Sequence, residues 1–139
     1  ADFVTIKGTI RAYTSDMRDQ IIAAVARIAR GIAESMRGSA DFNLLNGAPP
    51  VVNDPEVATW LTGIAGQVPG VDKVGAHEEV PVGDDMAEFI NRAPGCYFLL
   101  GAGDPERPPH HNARFVFDEE CLPLGVEIFT RAALDYLGT

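Results

Sequence analysis

The sequence predicts an α/β protein, and three observations carry that expectation. Residues 3–13, FVTIKGTIRAY, alternate apolar and polar side chains with the two-residue period of a half-buried strand. Ile21, Val25, Ile28, Ile32 and Met36 recur on one helical stripe directly afterwards. Residues 96–103, CYFLLGAG, form an unbroken apolar run between turns, the pattern of a strand covered on both faces.

Taken in order, the opening strand places Val4, Ile6, Gly8, Ile10 and Ala12 on its inner face, and Lys7 and Arg11 on the outer one. Thr14, Ser15 and Asp16 offer N-caps for the first helix, which runs to about Arg37, with Gly38 suited to follow its end. Residues 40–45 read as a second strand and Asn46-Gly47 as a turn. The segment GAPPVVNDPEV, 47–57, is the strongest punctuation in the chain. Asp54 at the N-cap with Pro55 in the first turn opens a helix whose apolar side is Trp60, Leu61 and Ile64. Gly66 and Pro69-Gly70 close that helix, and residues 71–77 suit a short strand. Residues 83–95 predict a glycine turn, a short capped helix and a Pro-Gly stop. A helix over about 118–137 ends the chain; its opening acids suit the positive end of the helix dipole, whereas Pro123 demands a late start or a kink.

The order is therefore β-α-β followed by α-β-α-β-α, with a domain boundary near residue 50. Two strands and one helix are too few to cover a sheet, so the first part reads as half of a small α/β sandwich. The chain opens on Ala1 and enters a strand with no lead-in, which predicts a trimmed N-terminus.

Hydrophobic residues make up 46% of the 139, enough for a buried core. The net charge of −9 argues against nucleic acid and against anionic membrane as partners, because phosphate binding needs a basic face. No apolar run approaches the roughly 20 residues that span a bilayer. With no secretory signal visible, the cytoplasm is the default location. Cys96 and Cys121 lie in apolar surroundings at no zinc-knuckle spacing and read as buried free thiols.

The candidate chemistry centres on His110 and His111, which follow Pro108-Pro109 and precede the alternating Phe115-Val116-Phe117. A rigid proline lead can fix an imidazole against a metal or substrate, but one or two ligands fall short of the three or four a zinc site needs. Exposed surface histidines are the plain alternative. His77, Glu78 and Glu79 are consecutive, so on an extended chain they point to opposite faces and do not easily share an ion. Gly83-Asp84-Asp85 leads into a helix N-terminus, which either caps that helix or holds a carboxylate on its free N–H groups. Arg11 either grips a carboxylate or is a solvated strand residue. There is no nucleophilic triad, phosphate loop or dinucleotide fingerprint.

Four stretches carry a resemblance: GTIRAY (8–13), PPVVND (49–54), GDDMAEFINRAPGCYFLLGAGDP (83–105) and HNARFVFDEECLPLGV (111–126). In order and separation they resemble the C-terminal part of the aminoacylase and hippurate hydrolase family. These are dinuclear-metal amidohydrolases related to zinc carboxypeptidases, and the resemblance covers nearly the whole chain. It implies that residues 1–48 are the second half of a small α/β lid domain, which carries the dimer contact. Residues 49–139 are then the C-terminal α/β segment of the catalytic domain. The reaction implied is hydrolysis of an amide in an N-acyl amino acid or small peptide, with two divalent ions, zinc or manganese, activating a water.

Aligned back from Phe115, the family's last metal-ligating histidine falls on His111, with Ala113 where proline is usual; His110 is its neighbour and substitute. The lid arginine that contacts substrate falls on Arg11. The glycine–acid–acid loop that lines the carboxylate end falls on Gly83, Asp84 and Asp85, with Met86 in place of an aromatic residue. The general base and the other ligands belong to sequence upstream, so the resemblance implies that no catalytic residue lies in this chain and that the chain is silent alone. The competing class is a non-enzymatic, lid-like oligomerisation module with a degenerate metal site.

Overall fold

The computed structural model describes residues 2–45, 47–80, 83–104 and 106–138. Four helices are present: α1 (Ser15–Ser35), α2 (Pro55–Ala65), α3 (Met86–Ile90) and α4 (Cys121–Leu137). Asn46 of the expected turn, Val82 before the glycine loop and Pro105 lie outside the described residues.

Among the described residues there is no β-strand, so the strand half of the α/β expectation is not borne out, neither at 3–13 and 40–45 nor at 71–77 and 96–103. The physical reason is that alternation marks a face, whereas a strand exists only through hydrogen bonds to a neighbouring strand. On the face expected to be inward, Val4 and Ile6 are 79% and 92% exposed and only Ile10 and Ala12 are partly buried.

The chain divides into two compact units, one of Ala1–Val52 with Glu78–Ala93 and one of Asn53–His77 with Pro94–Thr139. Residues 78–93, which the sequence division at 48/49 grouped with the second part, thus cluster with the first.

In the first unit Thr14 is the N-cap of α1, its hydroxyl accepting the Met17 N–H at 3.2 Å. The helix end differs from expectation. Gly38 N–H donates to the Ala33 carbonyl (2.8 Å) and Arg37 N–H to that of Glu34 (3.0 Å), the paired closure of a Schellman motif. That geometry puts Arg37, not Gly38, at the left-handed position, with φ 61°. No residue of α1 is fully buried, and Val25, Ile28, Ile32 and Met36 of its stripe are all exposed. The short helix α3 buries Ala87 completely.

The second unit holds the core. Asp54 caps α2 by accepting the N–H groups of Glu56 and Val57, both at 3.0 Å, with Pro55 in the first turn as expected. Leu61 and Ile64 of α2, with Val68 beyond it, bury against Ile128 and Ala132 of α4. Trp60, Cys96, Phe98, Leu100 and Leu124 surround them. The indole N–H of Trp60 donates to Asp135 Oδ2 at 2.6 Å, tying α2 to α4 across the rim. Pro123 causes no kink: α4 starts at Cys121, so the proline sits in the first turn, where its missing N–H has no intrahelical role.

The apolar run 96–103 is held without a ladder. Asn53 Nδ2 donates to the Tyr97 carbonyl (2.9 Å), and its Oδ1 accepts the Tyr97 N–H (2.8 Å). One side-chain amide thus does for Tyr97 what a neighbouring strand would do. Asp54 N–H adds a bond to the Gly95 carbonyl at 2.9 Å, and Asp118 N–H one to Ala102 at 2.9 Å. Gly125 admits the run to α4: a Cβ there would stand 3.2 Å from Leu100 Cδ2.

Two stability outcomes follow. Asn53→Ala leaves both half-buried groups of Tyr97 without their partner and lowers unfolding free energy by about 1–3 kcal/mol in a urea titration; an unchanged midpoint would refute the pinning role. Arg37→Gly relieves a left-handed non-glycine residue and raises stability by about 0.5–1 kcal/mol, glycine's greater unfolded-state freedom offsetting part of the gain. A fall in stability for that variant would contradict the helix end described.

Candidate functional site

Arg11 and the 83–85 loop belong to the first unit. Arg11 is exposed, and its Nη1 donates to Thr9 Oγ1 at 3.0 Å, which holds the guanidinium along the chain two residues back. Gly83 is exposed, with open space where a Cβ would stand. Asp84 is half-buried; its Oδ1 accepts the Met86 N–H at 2.8 Å and its carbonyl accepts that of Ala87 at 3.2 Å. Asp84 therefore occupies part of the helix start that the sequence offered to a substrate carboxylate. Asp85, the formal cap residue, makes no side-chain capping bond.

His110 and His111 belong to the second unit and form the corner of a turn, closed by Asn112 N–H on the Pro109 carbonyl at 3.3 Å. His111 sits third in that turn with φ 67°, the position that favours glycine or asparagine in a type II turn. Both imidazoles are exposed. Their centroids lie 5.0 Å apart at 74°, and His110 meets Phe115 edge-on at 6.3 Å. Phe115 in turn stacks on Phe117 at 6.2 Å. Asn112 shapes the next turn, its Oδ1 accepting the Arg114 N–H (2.9 Å) and its carbonyl that of Phe115 (2.9 Å). The result is a ladder of rings that fixes which way the histidine corner faces.

The donors fall short of a metal centre. Among the described residues no group of three or more His, Cys, Asp or Glu side chains could hold an ion. Two adjacent exposed imidazoles fall short of the three or four ligands a zinc site needs. Neither cysteine changes this. Cys121 is buried, and burial pushes the half-buried Cys96 thiol up, which keeps it protonated and poorly nucleophilic at neutral pH. No helix among the described residues is long and apolar enough to cross a membrane.

The sequence reading missed the roles of Asn53 and Trp60. Its only signal for the first was a polar pair closing an apolar stretch at Val51-Val52.

Comparison with known proteins bears on what this arrangement is for. The putative amidohydrolase YhaA of Bacillus subtilis is 28% identical over 140 residues, which is 98% of this chain and 35% of that protein. The N-acetyldiaminopimelate deacetylase of Streptococcus suis is 33% identical over 128 residues, 91% of this chain and 33% of its own length. The N-acetylcysteine deacetylase of Bacillus subtilis is 28% identical over 138 residues, 99% and 35% respectively. The chain thus spans about a third of the length of these relatives. No solved structure matches it significantly. The profile of peptidase family M20/M25/M40 matches residues 4–135, nearly the whole chain, and the chain belongs to that family.

Proposed function

We propose that the whole protein hydrolyses the amide bond of an N-acyl amino acid or small peptide, and that this chain supplies the last third of it. The observation that carries the reading is the family match over residues 4–135, with relatives named as deacetylases among the similar proteins.

In this reading His111 would hold a divalent ion, zinc or manganese, through one imidazole nitrogen. The Pro109–Asn112 turn and the ring contact with His110 hold its orientation. Divalent ions held there would supply Lewis-acid activation of water and of the scissile carbonyl. The remaining ligands and the general base lie in polypeptide beyond this chain, in keeping with the absence, among the described residues, of any group of three or more donors that could hold an ion. Arg11 grips the substrate carboxylate through its guanidinium fork. Gly83 leaves room beside the loop, and Asp84 fixes that loop by capping α3. Residues 1–48 act as part of a lid, 49–139 as the end of the catalytic domain. The exposed stripe Val25, Ile28, Ile32 and Met36 on α1 supports a homodimer formed through the lid.

That same stripe favours the second reading, a lid-like oligomerisation module without catalysis. The two are separated by assaying N-acetyl amino acid hydrolysis with added zinc or manganese. Activity in the whole protein and none in the 139-residue chain alone supports the first reading. Inactivity of the whole protein with full metal loading refutes it.

Two outcomes test the residue roles in the whole protein. His111→Ala lowers kcat/KM by more than the roughly 100-fold that loss of an outer-shell partner costs, and elemental analysis shows the bound metal per chain to fall. Retention of full metal content would remove His111 from the ligand set. Arg11→Ala raises KM by about 10–100-fold, the worth of a charge-assisted hydrogen bond, and Arg11→Lys by less. Equal KM values for all three proteins would exclude carboxylate binding by Arg11.

A further inference from the structure

We infer that His110 is a positioning residue: its ring, set against Phe115, holds the His111 imidazole in place for a metal ion, and its own nitrogens are not ligands. The inference rests on the reading above that His111 is a metal ligand, and it names what keeps that ligand in position.

A metal-binding histidine ordinarily donates its second ring nitrogen to a carboxylate, a carbonyl or a water, and that bond fixes the ring. Among the described residues no hydrogen bond or ion pair reaches the His111 imidazole. Its backbone is fixed, at φ 67° in the turn that Asn112 N–H closes on the Pro109 carbonyl. The exposed ring beyond it is not, because surface side chains exchange rotamers within nanoseconds. What touches that ring is His110, at 5.0 Å with 74° between the planes. His110 in turn stands edge-on to Phe115 at 6.3 Å and 88°, and Phe115 lies over Phe117 at 6.2 Å and 25°. Edge-to-face contact is directional, since a ring's edge is positive and its face negative. The ladder therefore ties the free end of the corner to two phenylalanines further along the chain.

The 5.0 Å spacing suits a brace and a second ligand equally. The contact with Phe115 is what a brace requires and a ligand does not. A brace acts through the shape of its ring and a ligand through a nitrogen, so phenylalanine at position 110 separates the two.

The test measures zinc affinity of the whole protein by competition with a chromophoric chelator, and records the visible spectrum after cobalt substitution. His110→Ala and Phe115→Ala weaken zinc binding by about 10–100-fold, the cost of losing an orienting partner, and His110→Phe restores it to within about twofold. The cobalt spectrum of His110→Phe matches that of the unsubstituted protein, whereas that of His110→Ala is shifted. A His110→Phe protein binding as weakly as His110→Ala would overturn the inference, because the nitrogen would then count. Native affinity in His110→Ala would overturn it as well. Should Phe115→Ala fail to fold, the two variants at position 110 decide alone. His111→Ala and hydrolysis are read separately. Metal lost from His111→Ala but held natively by His110→Ala rejects the brace and keeps the ligand; full metal in both rejects both. An inactive whole protein with the expected affinities rejects the hydrolase reading and leaves the brace standing.

Discussion

The second unit depends on two adjacent side chains. Asn53 takes both backbone groups of Tyr97, and Asp54 takes the first free N–H groups of α2. One junction therefore sets where the apolar run 96–103 lies and where α2 begins. α4 can then bury Ile128 against Leu61 and Ile64 while Gly125 lets Leu100 come close. Remove the amide and the run loses the two bonds that fix Tyr97, leaving those at Gly95 and Ala102 to set its direction, which apolar packing does not supply. The polar pair supplies the direction and the leucines and isoleucines the driving force.

The helices were legible because their signals are local. Thr14, Asp54 and Pro55 announce starts, and stripes of period 3.6 announce bodies, all within a few residues of sequence. Strands are not local. The alternation of 3–13 is real, yet the partners a ladder requires are absent among the described residues, and Phe3, Val4 and Ile6 stand exposed. The helix end at Arg37 escaped for a different reason: glycine at 38 advertised the left-handed position, but the backbone bonds to Ala33 and Glu34 place it one residue earlier.

The candidate site was legible as residue types and not as geometry. A proline pair followed by two histidines stands out in any reading, but that His111 would take φ 67° at a turn corner, with His110 braced on Phe115, has no signature in the sequence. Asp84 was visible as an acid near a helix start; whether its carboxylate would face a ligand or the Met86 N–H depended on the loop's path. A metal site is the extreme case, since its ligands converge from distant segments and no short stretch encodes that convergence.

Trp60 is the single tryptophan of the chain, and it stands where α2 meets α4, bonded to Asp135 and edge-on to Tyr136 at 6.4 Å. An indole so placed is a built-in fluorophore at the seam of the core. Separation of the two helices exchanges a carboxylate partner for water, so the tryptophan emission of the 139-residue chain reports the integrity of this unit.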